Sequence, residues 1–457
     1  MNPALQRAWI NPSIPPSTTL CTNQLSYTIM SYNILAQSLV RRDQFPYCSK
    51  LALKMNHRKQ NIIQELLHYS PDIVCLQECE SILYNILCKQ LTQYKSQYIA
   101  ATRTNNDTQK LHGIAILYKH SIFEQVDYKS IMFNDEHTHN IDPASAEYME
   151  LGRNNVAQII LLRPLNTDID GYGLCVTNTH LFYHPQFNYT RLLQANTILQ
   201  YVQQYNIKFN YCVMYCGDLN TTPDDLLYKY LVNRYIDESQ YQKFLTPERQ
   251  YSKTPTSVEQ QQLNANKRLY ELNNLLQQSH TLPVLQSSYA HYTHIIPDSI
   301  LQHTKHTIQS NPDWCLHIGE PPFTNYTQGW KGCLDYIMTV RSNDHKQSTI
   351  NNNNTKNDMN NITDQLNQLG LHTNGSFTST TNSLVIPCCD SINDCTSNVF
   401  HAHHSMSTIS MLQCNGIMEL PAESIVNTHI ALPNEQFSSD HLFIAAKYTL
   451  MLPSTVQ

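Results

Sequence analysis

Short runs of apolar and β-branched residues recur along the chain and alternate with stretches of helical periodicity. Two stretches, 51–69 and 189–205, carry apolar residues at spacings of three and four, which is the pattern of an amphipathic helix. Several strand-like runs are apolar throughout, which indicates strands covered on both faces. The pattern predicts an α/β fold. The strand-like runs are 27–33, 72–77, 113–118, 156–162, 174–179, 211–216, 334–339 and 442–448.

Two segments interrupt this alternation. Residues 245–310 are rich in Gln, His and Tyr, with one amphipathic helix around 258–278. Residues 341–416 include four consecutive Asn and many further Asn, Ser and Thr, which is too polar a composition to build a core. We therefore predict an N-terminal tail over 1–22 and one large domain over 23–450. The domain carries insertions at about 245–310 and 341–416, the second of them disordered.

Composition excludes several classes of protein. The formal charge of -6 argues against a protein that coats nucleic acid electrostatically, although a local groove for one strand end remains compatible with it. No apolar run approaches the roughly 20 residues that cross a bilayer, so no membrane partner is predicted. The 14 Cys show no disulfide framework spacing, which favours a reducing compartment.

Polar residues that suit hydrolysis occur where the predicted strands begin or end. Side chains at neighbouring strand ends are well placed to converge on one site held by a rigid sheet. Any one of them alone is more often a solvated strand end or a turn residue, so the ordered set carries the prediction. The set comprises Asn33, Glu78, His180, Asp218, Asn220, Asp335, Asp440 and His441.

The residue types in this set fit metal-assisted cleavage of a phosphodiester. Glu78 offers a hard carboxylate oxygen, which matches Mg²⁺ or Mn²⁺ rather than a metal that prefers thiolate, and Asn33 could orient the ion or its waters.

Each hydrolytic step also has a candidate residue. Asp218 could activate a water and Asn220 could hold it, while His180 and His441 could donate to the charge that grows on the phosphoryl group. Asp335 would hold the His441 ring and favour its imidazolium.

The ordered series resembles the exonuclease, endonuclease and phosphatase superfamily, and within it the deadenylase branch. The connecting stretches 179–185 and 319–336 are most similar to the 2′,5′-phosphodiesterase group of that branch and match Angel and nocturnin proteins less well. The series consists of Ser-Tyr-Asn-Ile-Leu at 31–35, Leu-Gln-Glu at 76–78, Asn-Thr-His at 178–180, Gly-Asp-Leu-Asn at 217–220, Leu-Asp-Tyr at 334–336 and Ser-Asp-His at 439–441.

The resemblance implies a deoxyribonuclease-I-like fold, a four-layer sandwich of two mixed β-sheets flanked by helices. It implies Glu78 as the ligand of Mg²⁺, or of Mn²⁺ in its place, with Asp440 contacting the metal through water. It also implies that Trp330, Pro185 and Asn325 bind the substrate, with Trp330 stacking on a base and Pro185 facing it across the nucleotide.

The activity implied is that of a 3′-end exoribonuclease that releases AMP from 2′,5′-linked oligoadenylate and from 3′,5′-linked poly(A) tails. Its partners would be single-stranded RNA 3′ ends and oligoadenylate, and no obligate protein partner is indicated. The resemblance implies the mitochondrial matrix, but Arg7 is the only basic residue before Arg41, so the presequence is weak and the cytoplasm is the alternative.

Three other functions on the same fold stay open from the sequence. They are an Angel-like RNA-end phosphatase, a lipid or inositol phosphatase, and an inactive scaffold that binds RNA.

Overall fold

The apolar runs form the central strands of two β-sheets. The computed structural model describes residues 3–11, 23–101, 112–165, 172–209, 211–234, 236–245, 257–296, 319–341 and 412–452. The strands are β1 (Trp9–Ile10), β2 (Asn23–Asn33), β3 (Ile73–Glu80), β4 (Tyr94–Ala100), β5 (His112–Lys119), β6 (Phe123–Met132), β7 (Val156–Pro164), β8 (Leu174–His180), β9 (Cys212–Asp218), β10 (Leu285–Ser287), β11 (Asn325–Thr327), β12 (Trp330–Gly332), β13 (Asp335–Val340), β14 (Leu412–Met418) and β15 (Ile444–Leu452).

Helices connect the strands and cover the outer faces of the sheets. They are α1 (Met55–Tyr69), α2 (Ser81–Gln90), α3 (Phe133–Thr138), α4 (Ala146–Leu151), α5 (Asn188–Phe209), α6 (Leu226–Asn233), α7 (Val258–Gln278), α8 (Tyr292–Ile295) and α9 (Glu423–Val426). Short 3₁₀ turns lie at Pro3–Leu5, Gln37–Leu39, Glu238–Phe244, Ser279–Thr281 and Asn427–His429.

Both large sheets are mixed, and each contains one parallel pair of strands. The first sheet has the order β1-β14-β15-β2-β3-β5-β4, in which β2 and β3 are parallel. The second has the order β10-β13-β9-β8-β7-β6, in which β8 and β9 are parallel. Strands β11 and β12 form a separate hairpin. The carboxyl ends of the two parallel pairs are the places where the candidate site residues lie.

Three buried clusters define four layers. The cluster between the sheets joins side chains of both, such as Ile29 and Ile116 of the first sheet with Val176 and Met214 of the second. A second cluster packs α1 and α2 on the first sheet. A third packs α5, α6 and α7 on the second sheet. Each fully buried Leu or Ile contributes about 1.5 to 3 kcal/mol. The predicted four-layer sandwich is confirmed.

The residues before position 23 do not all form a tail. Strand β1 pairs with β14 through Trp9 and Met418. The Arg7 guanidinium lies 3.9 Å from the centre of the Phe443 ring and donates to the Phe443 carbonyl at 2.8 Å. A two-residue strand is too short to show a recognisable sequence pattern. The sequence therefore predicts a tail over residues 1–22, although part of that segment pairs with the first sheet.

The predicted insertions also contribute to the sheets. The helix predicted over 258–278 is confirmed as α7. Strand β10, within the segment predicted as an insertion over 245–310, pairs with β13 in the second sheet. Strand β14 begins at Leu412, so the insertion predicted over 341–416 ends too late. Residues 342–411 of that prediction lie outside the described residues. Within the described part of the chain, no helix is long and apolar enough to cross a membrane.

The packing of α1 on the first sheet buries one acid that the sequence did not single out. Glu65 is 2% exposed and accepts a hydrogen bond from the Tyr32 hydroxyl at 3.0 Å. Burial raises the pKa of Glu65 to about 8, although the Tyr32 hydrogen bond and the charge of Arg7 oppose this shift. The fold therefore favours the neutral carboxyl group.

This burial predicts a pH-dependent stability. A raised pKa in the folded state gives a contribution that is complete below the unfolded value near 4.5 and is lost as pH rises through about 8. Glu65→Gln stays uncharged at every pH, so we expect it to gain stability relative to the wild type between pH 5 and pH 9, by on the order of 3 kcal/mol. Chemical denaturation at several pH values measures this difference. Glu259→Gln, at an exposed position of α7, is the control, and a parallel response of both variants would contradict the prediction.

Candidate active site

The ends of the two parallel strand pairs bring the predicted site residues together. Asn33 ends β2 and lies opposite Gln77 of β3, one residue before Glu78. In the second sheet, His180 at the end of β8 lies opposite Asp218 at the end of β9. Asp335 begins β13 and pairs with Asp218 from the other side. Both sheets therefore present polar side chains at the same edge of the sandwich.

Three residues at or next to these strand ends have a strained backbone. Leu35, Glu78 and Asn220 all have positive φ, at 53°, 54° and 48°. Such a conformation is unfavourable for Leu and Glu, by about 1 to 3 kcal/mol, and persists only where the surrounding structure enforces it. The pairing of β3 with β5 also shifts register between Leu76 and Cys79, which places Glu78 within an irregularity that re-aims its side chain.

Gly217 allows β8 and β9 to approach closely just before the site. Its φ is 147°, and a Cβ atom there would lie 2.1 Å from the Thr179 carbonyl oxygen. Any larger residue would push Asp218 away from β8 and therefore from His180.

Asn33 joins the two sheets at the site. Its amide nitrogen donates to Glu78 Oε1 at 3.1 Å and to Asp218 Oδ2 at 2.9 Å, so those two carboxylate oxygens cannot be more than about 6 Å apart. Its amide oxygen accepts from the Leu35 backbone at 3.0 Å, which fixes the orientation of the amide. Glu78 Oε2 accepts from the Ala36 backbone at 2.8 Å.

Asp218 is the group on which the other side chains converge. Its Oδ1 accepts from the Asn220 backbone at 3.0 Å. Its Oδ2, besides the Asn33 bond, lies 3.6 Å from His180 Nε2 and 3.6 Å from His441 Nε2. Asn220 in turn donates its amide to the Leu181 carbonyl at 2.9 Å, which leaves its amide oxygen available.

His441 is held by Asp335, as the sequence predicted. His441 Nδ1 lies 2.8 Å from Asp335 Oδ2, and the same oxygen accepts from the Thr324 hydroxyl at 2.6 Å. Thr324 Oγ1 also accepts from the backbone N–H groups of Leu334 and Asp335. The Asp335 contact fixes the imidazole ring so that Nε2 faces Asp218.

Burial and charge act on these groups in opposite directions. Burial disfavours the charged form of His441, but the carboxylates of Asp335 and Asp218 outweigh it and hold the His441 pKa well above its ordinary value. Burial raises the pKa of Asp218, and the charges of His180 and His441 oppose that shift. The raised pKa of His441 favours its imidazolium, and the charges of His180 and His441 favour the carboxylate of Asp218 against the effect of burial. In those charge states the two residues would supply one donor and one proton acceptor to a bound phosphodiester.

The family that the sequence resembles depends on a divalent metal, and the donor set fits one. Burial opposes ionisation of Glu78, but the charges of His180 and His112 and the hydrogen bonds from Ala36 and Asn33 leave its pKa below the ordinary value. Burial, with the nearby charge of Glu78, raises the pKa of Asp440. Close carboxylates with hard oxygens are the ligands that Mg²⁺ or Mn²⁺ prefers.

A second grouping of metal-type donors lies beside this pair. Atoms of Asp218, Asp335 and His441 all lie within 4.8 Å of one another. Because His441 Nδ1 already bonds to Asp335, this grouping fits a hydrogen-bonded pair next to Asp218 better than a cage for an ion. Glu78 and Asp440 would hold the cation, which would polarise a phosphoryl oxygen when bound.

The predicted substrate residues lie at the rim with unequal exposure. Trp330 on β12 is 47% exposed, and its indole lies over Gly332, where a Cβ atom would come within 2.9 Å of the ring. The methyl group of Thr222, two residues beyond Asn220, would lie 3.4 Å from the same Cβ atom. Pro185 is exposed on the loop after β8. Asn325 is buried and pairs through its backbone with His441, so it supports the site more than it faces solvent.

Buried residues for which the sequence suggested no role hold the site loops in place. The Arg58 guanidinium donates to the carbonyls of Ile34 and Ser438, both at 2.6 Å, and Ser439 donates to the Asn33 carbonyl at 2.7 Å. Arg191 is fully buried and donates to the carbonyl of Pro185 at 3.0 Å. In the sequence, Arg191 falls among the residues of α5 that pack inward, where Arg is rare, and this placement is the signal that could have indicated its role.

An amide pair beneath the site links the two sheets. Gln77 of β3 donates to Asn178 Oδ1 of β8 at 2.8 Å, and Asn178 donates to the carbonyls of Leu76 and Ala115 in the first sheet at 3.0 and 2.9 Å. Each donor and acceptor in this link is buried, so breaking it would leave unpaired polar groups at a cost of about 1 to 3 kcal/mol each. The link fixes the separation of the sheets directly below the site.

The fold is that of the two-sheet sandwich class, and its site gathers residue types that are suited to phosphoester hydrolysis. The chain belongs to the Endonuclease/Exonuclease/phosphatase family, whose model matches residues 30–441. That range spans all the predicted site residues, from Asn33 to His441.

Two curated relatives indicate the branch of the family to which the chain is similar. The chain is 24% identical over 341 residues to 2′,5′-phosphodiesterase 12 of Bos taurus, covering 70% of this chain and 46% of that protein. It is 26% identical over 332 residues to Carbon catabolite repressor protein 4 homolog 2 of Arabidopsis thaliana, covering 68% and 50%. The chain thus spans about half the length of the curated relatives it matches. These relatives support the deadenylase branch and a hydrolytic enzyme of the nuclease or phosphodiesterase kind.

The fold of ANGEL2 is similar across nearly the whole chain. The crystal structure of ANGEL2, a 2′,3′-cyclic phosphatase, matches with a TM-score of 0.59 and 21% identity, and covers 98% of each chain. At this identity the likeness concerns the fold.

Proposed function

We propose that this chain is a divalent-metal-dependent 3′-end exoribonuclease that hydrolyses oligoadenylate and releases AMP. The observation that carries the proposal is the convergence of Asn33, Asn220, His180 and His441 on the single carboxylate of Asp218. That arrangement provides a proton acceptor, a charged donor and an amide oxygen within one small volume, next to the carboxylate of Glu78.

The residues divide the work of phosphodiester hydrolysis between them. Asp218 orients the attacking water and takes its proton, and Asn220 offers a further acceptor for that water. His441 and His180 donate to the oxygens on which negative charge grows. Asp335 keeps the His441 ring in the orientation that points Nε2 at the reacting group, which is a positioning role.

A base-stacking platform supports a nucleotide substrate. An exposed Trp at the rim can cover one face of a base, which is worth about 1 to 3 kcal/mol per base. Arg191 fixes the loop that carries Pro185, which in this proposal forms the wall on the other side of the base. A lipid or inositol phosphatase has no need of such a platform.

The finer assignment is to oligoadenylate, both 2′,5′-linked and 3′,5′-linked as in poly(A) tails, with Mg²⁺ as the cofactor. It rests on the resemblance of the connecting stretches 179–185 and 319–336 to the 2′,5′-phosphodiesterase group, and 2′,5′-phosphodiesterase 12 of Bos taurus is among the relatives that the chain matches. A location in the mitochondrial matrix belongs to the same proposal, and imaging of the chain tagged at its C-terminus would check it.

The test is a comparison of products with three substrates. Purified protein with Mg²⁺ would be given 2′,5′-linked oligoadenylate, 3′,5′-linked oligoadenylate and oligouridylate, each labelled at the 5′ end. We expect AMP to be released stepwise from both adenylates and much more slowly from oligouridylate. Removal of a terminal phosphate without nucleotide release would favour the RNA-end phosphatase. Binding of RNA without any product would favour the inactive scaffold.

Removal of the Trp330 ring should weaken substrate binding. Loss of about 1 to 3 kcal/mol of stacking corresponds to a rise in KM for oligoadenylate of roughly 5-fold to 150-fold in Trp330→Ala. Because the ring touches the base and not the reacting phosphate, kcat should change much less. Steady-state kinetics would separate the two constants.

Two variants serve as controls for the Trp330 measurement. Trp330→Phe keeps an aromatic face and should recover much of the lost affinity. Tyr270→Ala removes an aromatic ring of 62% exposure on α7, and its KM should equal that of the wild type. An unchanged KM in Trp330→Ala would mean that the indole only covers the sheet edge.

A further inference from the structure

An open cavity lies beside the loop that follows β2. Its volume is about 540 Å³, within the range of small-ligand sites. It combines three basic side chains with polar and apolar ones. Six of the lining residues are Gln37, Arg42, Lys50, Leu53, Lys54 and Asn56.

The charge of this cavity is opposite to that of the chain as a whole. The protein carries a formal net charge of -6, yet Arg42, Lys50 and Lys54 line the cavity together and no acidic residue lines it. All three side chains are exposed. Within the described residues they form no ion pair, whereas the adjacent Arg41 is paired with Asp43 at 2.5 Å.

The start of α1 adds to the positive field. Helix α1 begins at the cavity with Lys54 as its N-cap, and it has neither a side-chain cap nor an acidic residue in its first turn. The amino-terminal end of a helix carries a partial positive charge that favours anions. The three side chains and the helix end therefore act in the same direction.

The cavity shares a wall with the candidate active site. The Gln37 amide donates to the Leu53 carbonyl at 3.1 Å and accepts from Arg58 at 3.0 Å, and Arg58 also holds the Ile34 carbonyl. Ala36, next to Gln37 in the chain, donates its backbone N–H to Glu78. A ligand in the cavity would therefore lie next to the loop that positions Glu78.

We propose that this cavity binds the phosphates of nucleotides upstream of the scissile bond, so that it forms a backbone subsite for an RNA strand whose 3′ end is in the active site. This inference rests on the proposed nuclease function. An RNA strand carries one negative charge per nucleotide, so a substrate anchored by its terminal base at Trp330 still needs a cationic surface for its remaining phosphates. Arg42, Lys50 and Lys54 are the cations that the site loop places there.

The experiment compares two triple variants that lose the same charge. Arg42→Gln/Lys50→Gln/Lys54→Gln removes the cations of the cavity, and Lys89→Gln/Lys95→Gln/Lys208→Gln removes three exposed cations that do not line it. Binding of 5′-fluorescein oligoadenylate of about twelve nucleotides is followed by anisotropy at several salt concentrations. Turnover of the same oligonucleotide and of the adenylate dinucleotide is measured in parallel.

The cavity variant should bind the oligonucleotide at least about tenfold more weakly than the wild type at low salt. The slope of log Kd against log salt concentration should be smaller in this variant by about 1 to 2. Its preference in kcat/KM for the long substrate over the dinucleotide should fall by a similar factor. The control variant should keep both properties of the wild type.

Failure of this inference and failure of the proposed function are distinguishable. Wild-type protein that binds RNA but releases no nucleotide would count against the proposed function alone, since binding is measured separately from turnover. Equal affinity and equal salt slope in the two triple variants would overturn the cavity assignment, whether or not the protein is active.

Discussion

Asp218→Asn should lower kcat for oligoadenylate by a factor on the order of 10³ or more, with little change in KM. The substitution keeps the shape of the side chain and removes the charge of the group that contacts Asn33, His180 and His441 together. General base catalysis alone contributes about 10² to 10⁴ in rate, and the variant also loses the partner that orients both imidazoles. Single-turnover kinetics would isolate the chemical step.

Stability distinguishes a chemical effect of this substitution from a structural one. Burial raises the pKa of Asp218, which means that holding its charge in the fold is unfavourable. We therefore expect Asp218→Asn to unfold at the same temperature as the wild type or higher. Asp224→Asn changes an exposed carboxylate of the same turn, bonded to the Thr222 hydroxyl at 2.6 Å, and should keep full activity. An Asp218→Asn enzyme with more than about a tenth of wild-type kcat would refute the role.

Glu78→Gln should abolish both the binding of a divalent metal and the hydrolytic activity of the protein. The carboxylate offers hard oxygens that an amide replaces poorly, and its loss should cost several kcal/mol of transition-state stabilisation, a factor of about 10³ in kcat/KM. Metal binding can also be measured without turnover, because a ligand that binds only the folded state raises the melting temperature. Mg²⁺ or Mn²⁺ should stabilise the wild type and leave Glu78→Gln unchanged.

Glu80→Gln provides the matched control. Glu80 lies two residues further along β3 and accepts a hydrogen bond from the Ser38 backbone at 2.7 Å, without contact to Asn33 or Asp218. It should keep the metal-induced rise in melting temperature and most of the activity. An equal metal-induced shift in Glu78→Gln and the wild type would show that Glu78 is not the principal ligand.

The sequence predicted the parts of the fold that depend on local pattern. All eight strand-like runs overlap strands, because central strands of a sandwich are buried on both faces and show continuous apolar character. Strands β4 and β6 were not predicted, since most of their residues are only partly buried and many are polar. The short strands β1 and β10 carry too few residues for any periodicity, and only pairing with β14 and β13 makes them strands.

The candidate site was predictable as a set of residue types but not as a set of contacts. The positions of Asn33, Glu78, Asp218 and His441 follow from polar residues at strand ends. The contacts that hold them join segments far apart in sequence, such as Arg58 with the Ser438 carbonyl, 380 residues away. No local pattern encodes such a contact, because it exists only once both sheets have packed.

The packing of the two sheets also determines how the site tolerates change. Glu78 belongs to the first sheet and Asp218 to the second, and the Asn33 amide joins them above the buried Gln77 and Asn178 pair. The distance between ligand and base is therefore set by the thickness of the sandwich core. Core substitutions that the fold tolerates, such as Ile160→Val between the sheets, could still shift these carboxylates relative to each other. Variation in this core should therefore be limited by catalytic rate well before it is limited by stability.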